Sequence, residues 1–374
     1  MGEDSVAYVA LDTAKLRNAV AIAEAGRDGE IRYLGEIENS RPAIAKLVRK
    51  LAAKYRRLVF CYEAGPTGYG LHRQLKELGH ECLVVAPSLI PRKPGDRVKT
   101  NRRDAMSLAR QLRAGDLTAV WVPDARHEAM RDLTRARWAT VRDLRSKRQQ
   151  VSSLLLRLGR HYPRRTKWGK AHKAWLASQK LDHVEQRFAL EELLQAVRQA
   201  EERIQRLEQA IRDGLEAWSL HPLVTALMAL RGFDFVAAAT LAAEVGDLGR
   251  FRTPRQLMAW LGMVPSEAST GEHVRRGGIT KTGNRRARQL LIECAWSYRH
   301  PARIGRDKLA KLAAVPAEVR DIAWKAQVRL TKRYRALCRA GKLDVVAIAA
   351  VARELAAFVW AIARAVAPRP TTAG

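Results

Sequence analysis

The chain has 374 residues, with 68 Lys plus Arg against 38 Asp plus Glu and a formal charge of +30. That length allows two or three domains with a sizeable core. The excess of base excludes an ordinary metabolic enzyme and calls for a polyanionic partner, nucleic acid ahead of a membrane surface.

Four cysteines (Cys61, Cys82, Cys294 and Cys338) form no C-x-x-C pair, which sets aside a zinc knuckle and a disulfide framework. The acidic start lacks the apolar core of a signal peptide. No 18-residue apolar span is expected, because Arg353, Glu354 and Arg364 interrupt the apolar stretch 345–366, which reads as an amphipathic helix. The expected location is therefore cytoplasmic, with no membrane partner.

In chain order, residues 6–12 form an apolar strand that ends in Asp12, a place suited to a metal ion holding a phosphate. Strands over 18–25 and 31–38 follow, joined by the G-R-D-G turn at 26–29. A helix over 42–55 turns Ile44, Leu47, Val48 and Leu51 to one side. The strand 58–62 ends in Glu63, a helix spans 70–78, a fifth strand spans 82–86, and a third helix spans 100–113. The order βββαβαβα fits a ribonuclease-H-like arrangement. There the first and fourth strands are neighbours, so Asp12 and Glu63 face each other at adjacent strand ends. An actin-like ATPase begins similarly, but the T-A-K turn after Asp12 lacks the phosphate-binding glycines it needs.

The third helix opens on K-T-N-R-R-D-A, with Asn101 and Asp104 on one face. Alone, Asp104 reads as a carboxylate favouring the helix dipole; together with Asp12 and Glu63 it reads as part of an acidic site. The basic, Pro-rich stretch 87–96 before it suits a nucleic-acid backbone.

A long helix is expected from 126 to about 162. Its segment 131–150 carries seven Arg or Lys against two acids, with Trp138 among them. This is either a solvated basic face or a nucleic-acid track. The tryptophans in 163–175 either stack on bases or anchor a core. A second long helix, 185–215, bears the stripe Leu190, Leu193, Leu194, Val197, Ile204, Leu207 and Ile211, which fits either a helical hairpin with the preceding helix or a dimeric coiled coil; a hairpin that also dimerises is the favoured reading.

His221-Pro222 breaks this pattern. Residues 227–247 read as helix, turn at 231–235, helix, similar to a helix-hairpin-helix whose glycine lets backbone N–H groups approach a phosphate. A short helix at 251–261 has Thr253 as N-cap and Pro254 at its first position. The segment 262–284 is expected to be an irregular loop. In it Ser266, Ser269 and Thr270 precede Gly271, with His273 close by, and 271–290 holds six Lys or Arg and one acid. A hydroxyl among fixed cations suits attack on a phosphodiester; a Ser/Gly phosphate-binding loop without chemistry is the plainer alternative. Amphipathic helices are expected over 285–298, 324–337 and 344–365, and the tail 368–374 is expected to be disordered.

Taken together, V-A-L-D-T-A-K, F-C-Y-E-A-G-P-T-G, V-K-T-N-R-R-D-A, A-A-E-V-G-D-L-G-R-F, G-M-V-P-S-E-A-S-T-G and R-G-G-I-T-K-T-G-N resemble the bacterial insertion-sequence transposases of the IS-one-ten family over about residues 6–365. The resemblance implies an α/β plus all-α chain: a RuvC-like DEDD catalytic domain (1–130), a basic helical coiled-coil region (131–220), a serine transposase domain with a helix-hairpin-helix (221–310), and C-terminal helices with a tail (311–374). It implies a transposase or site-specific recombinase. Asp12, Glu63 and Asp104 would bind Mg²⁺, while the fourth acidic position falls on Asn101, a departure that leaves a carbonyl oxygen without charge; Asp96 is a possible substitute. The family's nucleophilic serine maps onto Ser269, with Thr270 as the alternative, in a composite site where the acids of one subunit meet the serine loop of another. Donor and target double-stranded DNA, a structured guide RNA and a homo-oligomer (dimer or tetramer) are the implied partners. Lys99, Arg102, Arg103, Arg135, Arg142, Arg275, Arg276, Lys281, Arg285 and Arg286 are the expected nucleic-acid contacts. A Holliday-junction-type nuclease using only the three acids, and a catalytically silent nucleic-acid-binding protein, are the competing readings.

Overall fold

The structure, a computed structural model, describes residues 5–91, 100–270 and 273–367. Asp96, Lys99, Gly271 and the tail 368–374 lie outside the described residues. The chain divides into two compact units, Met1–Val122 and Pro123–Gly374. Among the described residues it is a mixed α/β protein with a five-stranded mixed sheet and thirteen α-helices.

In the first unit, strands β1 (Val6–Thr13), β2 (Arg17–Glu24), β3 (Ile31–Glu38), β4 (Arg57–Glu63) and β5 (Glu81–Val85) lie in the order β3-β2-β1-β4-β5. β1 pairs antiparallel with β2 and parallel with β4, in the register Leu11 opposite Tyr62. The neighbouring of the first and fourth strands is as the sequence predicts. β1 and β2 are buried on both faces and are accordingly almost continuous apolar runs. β3 is an edge strand with alternating exposure and outward charges.

The two sheet faces carry different cores. Val9, Leu11, Phe60 and Tyr62 pack with helix α1 (Arg41–Ala52), through Ile44, Leu47, Val48 and Leu51, and with Leu75 of α2 (Gly70–Glu77). Ala10, Ala21 and Cys61 pack on the other side with Ala105, Leu108, Ala109 and Leu112 of α3 (Asn101–Ala114). Small side chains on this face let α3 lie close over the strands.

The second unit begins with α4 (Ala125–Arg157), followed by α5 (Lys170–Ala177) and α6 (Val184–Leu215). α4 and α6 pack along one another. Leu144, Val151, Leu154 and Leu155 meet Leu190, Val197 and Ala200, and cross-helix ion pairs join Arg137 to Glu208 (2.7 Å) and Arg148 to Glu201 (2.7 Å). Trp168 and Trp175 join this core and gather with Tyr162 around the buried His172, so core anchoring accounts for both rings.

The rest of the unit is a helical cluster: α7 (His221–Leu227), α8 (Phe235–Val245), α9 (Pro254–Trp260), α10 (Arg285–Ala295), α11 (Arg306–Ala313), α12 (Ala317–Arg339) and α13 (Asp344–Val366). Three expectations are corrected here. The stripe of α6 ends before His221-Pro222, as expected, but the helix expected to begin at 227 is α7, which begins at His221 and ends at Leu227, Pro being tolerated in a first turn where no N–H partner is needed. The loop 262–284 contains a β-hairpin, β6 (Pro265–Glu267) against β7 (Arg276–Ile279). Finally, α13 is long and apolar enough to cross a membrane by length and composition, its interrupting charges notwithstanding. It sits in the helical cluster with Ile348, Val351, Leu355, Val359 and Ile362 buried, the packing of a core helix.

Candidate active site

Alternation along the strands decides where the acids point. Ala10 and Cys61 face α3, so Asp12 and Glu63, two residues further along each strand, face the same way. The register that pairs Leu11 with Tyr62 makes Asp12 and Glu63 the next rung of the ladder. α3 is oriented by its far end: Arg113 donates to the carbonyls of Glu24 (3.1 Å) and Gly29 (2.6 Å), at the end of the sheet where β1 begins. Its first turn, with Asn101 and Asp104, therefore lies toward the end where β1 and β4 finish. Thr100 caps that turn by accepting from Arg103 N. Thr13 and Thr67, hydrogen-bonded at 3.2 Å, tie the β1 exit to the loop after β4.

The fold thus gives Asp12, Glu63 and Asp104 one face and one end. All three are half-buried, and Asn101 is exposed one turn before Asp104. Their carboxylate oxygens are the hard donors a divalent cation takes. Among the described residues, however, no three His, Cys, Asp or Glu side chains close on one another as a ligand set. What is built is the shared placement rather than a closed cage. Arg102 and Arg103 are exposed beside it, Arg102 with its guanidinium 5.6 Å from the Tyr33 ring centre.

In the second unit the candidate hydroxyls stand on the β-hairpin. Pro265 pairs with Ile279 and Glu267 with Arg276, and Thr270 and His273 exchange backbone hydrogen bonds nearer the tip. Ser266 donates to the Gly278 carbonyl across the ladder (3.1 Å). Ser269 donates to Glu267 Oε1 at 2.9 Å, and Arg276 Nε donates to Glu267 Oε2 at 3.2 Å. The Ser269 hydroxyl and the Arg276 guanidinium hold the Glu267 carboxyl below its ordinary range. Arg275, Lys281 and Arg285 are exposed on the same segment.

The hairpin's base is fixed by a buried cation. Arg288 donates to the carbonyls of Leu261 (2.8 Å) and Thr282 (2.7 Å). Gly262 and Gly283, both at positive φ, let the two chain segments touch: a Cβ on Gly283 would collide with the Trp260 carbonyl.

Two acids escaped the sequence reading. Glu267 belongs with Ser269 only if the segment is extended, because a period of two puts both on one side; an irregular loop has no such period. Glu244, on the apolar helix α8, is buried. Arg135 holds it bidentately (2.8 and 3.0 Å), Asn284 donates to it at 2.8 Å, and Arg286 stands 3.8 Å away. Burial pushes its pKa up, but the Arg135 and Asn284 hydrogen bonds and the two guanidiniums outweigh that and leave it lowered. A lone carboxylate in an Ala-rich helix was the available signal, since such a charge is buried only with partners.

The basic run on α4 is largely matched internally. Besides Arg135 and the cross-helix pairs, Arg131 donates to the Ala243 carbonyl and Lys147 pairs with Asp143. Arg142 and Arg286 each place a guanidinium 4.9 Å from the centre of the Trp138 ring. In the turn between α7 and α8, Gly232 faces inward, where a Cβ would meet the Cys294 carbonyl and Ser297 Oγ, and Lys308 caps the Leu230 carbonyl at 2.6 Å. The glycine there serves packing.

The class of protein, an enzyme acting on DNA, comes from similarity to known proteins. Residues 9–159 match the DEDD transposase domain of the IS110 group, and residues 224–310 match the family described as Transposase IS116/IS110/IS902. The protein named "Putative transposase y4qE" of Sinorhizobium fredii is 57% identical over 358 residues, 96% of this chain and 88% of that one. The transposase for insertion sequence element IS1533 of Leptospira borgpetersenii is 30% identical over 338 residues, covering 88% of this chain and 96% of its own length. The chain belongs to the IS110 (IS-one-ten) family of insertion-sequence transposases. Its DEDD domain implies a nuclease-like unit dependent on a divalent metal.

Proposed function

We propose that this transposase cuts and rejoins DNA with Ser269 as nucleophile and with Mg²⁺ held by Asp12, Glu63 and Asp104. The observation that carries the proposal is the common face and end given to the three acids by strand register and α3 orientation. When bound, the ion polarises a phosphate oxygen and offsets charge in the transition state. Asn101, at i−3 from Asp104, supplies a neutral carbonyl oxygen at the same helix start. Ser269 is favoured over Ser266, whose hydroxyl is tied to the opposite strand, and over Thr270, whose secondary hydroxyl is more hindered. Exposed Arg275, Lys281 and Arg285 supply positive charge beside the hydroxyl for a phosphodiester.

Double-stranded DNA and a structured guide RNA are the partners that the charge of +30 and the family resemblance support. The paired helices α4 and α6 are proposed as the dimerising coiled-coil element of a cytoplasmic homo-oligomer, and the domain limits at residues 130, 220 and 310 as its functional divisions.

The test is a covalent-adduct assay on a labelled duplex bearing the element's end, using protein co-expressed with the element's non-coding segment. Ser269→Ala should abolish the protein–DNA adduct while DNA binding persists, and Asp12→Ala should abolish strand cleavage. An adduct that survives Ser269→Ala but disappears in Thr270→Val moves the nucleophile to Thr270. Recombination that survives Asp12→Ala removes the metal-site reading. Cleavage without any adduct in the wild type favours the metal-only nuclease.

A further inference from the structure

The hairpin holds a carboxylate for which the serine reading has no use. Glu267 is solvent-exposed, yet both of its oxygens are engaged by neighbours on its own hairpin: Oε1 by the Ser269 hydroxyl at 2.9 Å and Oε2 by Arg276 at 3.2 Å. Glu267 and Arg276 are cross-strand partners, so the backbone ladder sets their approach. Ser269 is brought to the same side by the two-residue period. The result is a nucleophile–base–orienter arrangement, with its distance in the range for proton transfer, and with glutamate where a histidine is more usual. The nearby His273 meets Thr270 only through backbone atoms.

We propose that Glu267 is a catalytic residue of this transposase: it accepts the proton of Ser269 as Oγ attacks the scissile phosphate, and Arg276 orients it. The inference rests on the reading of Ser269 as nucleophile. In the first step the Ser269 Oγ–P bond forms and the P–O bond to the departing sugar breaks. The serine proton passes to Glu267 Oε1, and the departing sugar oxygen takes a proton from water. In rejoining, a DNA hydroxyl attacks the phosphoserine and yields its proton to solvent. While the phosphoserine stands, Glu267 releases its proton to solvent, and on rejoining Ser269 Oγ leaves and takes a proton from water. The protein ends both steps unchanged.

Glu267 is ionised, in its proton-accepting form, at neutral pH, and the hydrogen bonds from Ser269 and Arg276 that lower its pKa fix its orientation at some cost in basicity. General-base assistance of this kind is worth about 10²–10⁴-fold in rate. Glutamine at 267 preserves shape and can still bond to Ser269, but it takes up no proton.

The experiment measures adduct formation and DNA binding in parallel, with the full-length protein co-expressed with the element's RNA and a labelled duplex carrying the element's end. The expected result is that Glu267→Gln slows the adduct about 10²–10⁴-fold with unchanged duplex affinity, and that Glu267→Asp recovers part of the rate. If Glu267→Gln forms adduct at the wild-type rate while Ser269→Ala forms none, Glu267 is not the base and the nucleophile reading stands. If Glu267→Gln loses duplex affinity together with adduct, the residue is structural and the inference falls. If Ser269→Ala still forms adduct, the nucleophile reading itself fails.

Discussion

Arg135 shows how a side chain's neighbours change the meaning of its charge. In the sequence it is one of seven cations on a basic helix and reads as a phosphate contact. In the fold its guanidinium is bound bidentately to Glu244, a carboxylate with 1% of its side chain exposed. Arg135→Ala leaves that buried charge with Asn284 and only the longer contact to Arg286 at 3.8 Å, so the second unit should lose about 3 kcal/mol of stability. Denaturant melts should report the loss; lowered duplex affinity with an unchanged melt would return Arg135 to the nucleic-acid surface. The acids at strand ends were legible because apolar runs end visibly in Asp12 and Glu63. The partnership of Glu244 was not, because its cation lies on a helix more than a hundred residues away. Glu267 was hidden for a different reason: its relation to Ser269 depends on a strand only three residues long.

At the scale of elements, hydrophobic periodicity located the five strands and the helices of the first unit within a residue or three, and named the buried face of α1 residue for residue. It failed where polarity is uniform. β6 and β7 are almost wholly exposed and rich in Ser, Gly and Arg, so neither period is written in their sequence. Their geometry is imposed by backbone pairing and by the base, where Arg288 clamps two carbonyls and Gly283 lies against the Trp260 carbonyl. Gly283→Ala requires both a positive φ and a displaced neighbour, which should cost about 1–3 kcal/mol. It should also reduce adduct formation more than Ala substitution at exposed Val274, on the hairpin arm. Paired thermal melts and adduct assays of Gly283→Ala and Val274→Ala make the comparison; equal activity in the two would deny the base its positioning role.

For the whole molecule, the charge of +30 was the strongest indication of a nucleic-acid partner before any fold was in view. The structure shows that this total overstates what is free to meet phosphate, since much of the α4 run is paired with carboxylates of α6 and α8. Duplex affinity should fall linearly with the logarithm of salt concentration, by about 0.9 in slope per phosphate neutralised. Arg275→Ala and Arg285→Ala should each lower that slope by about 0.9, equally on specific and unrelated sequences. Arg137→Ala, whose guanidinium pairs with Glu208, should leave it unchanged. Fluorescence anisotropy across a salt series distinguishes these outcomes.

The hairpin between Met263 and Ala287 has a consequence for sequence variation. Both of those residues are fully buried, yet none of the described hairpin residues between them belongs to any of the hydrophobic cores. Folding therefore places little constraint on Ser266, Glu267, Ser269 or Arg276, and substitutions there should leave a well-folded protein that accumulates normally. An inactive copy of the element arising by drift at the tip would still make abundant protein able to occupy the same nucleic acid, and so to interfere with active copies in the same cell.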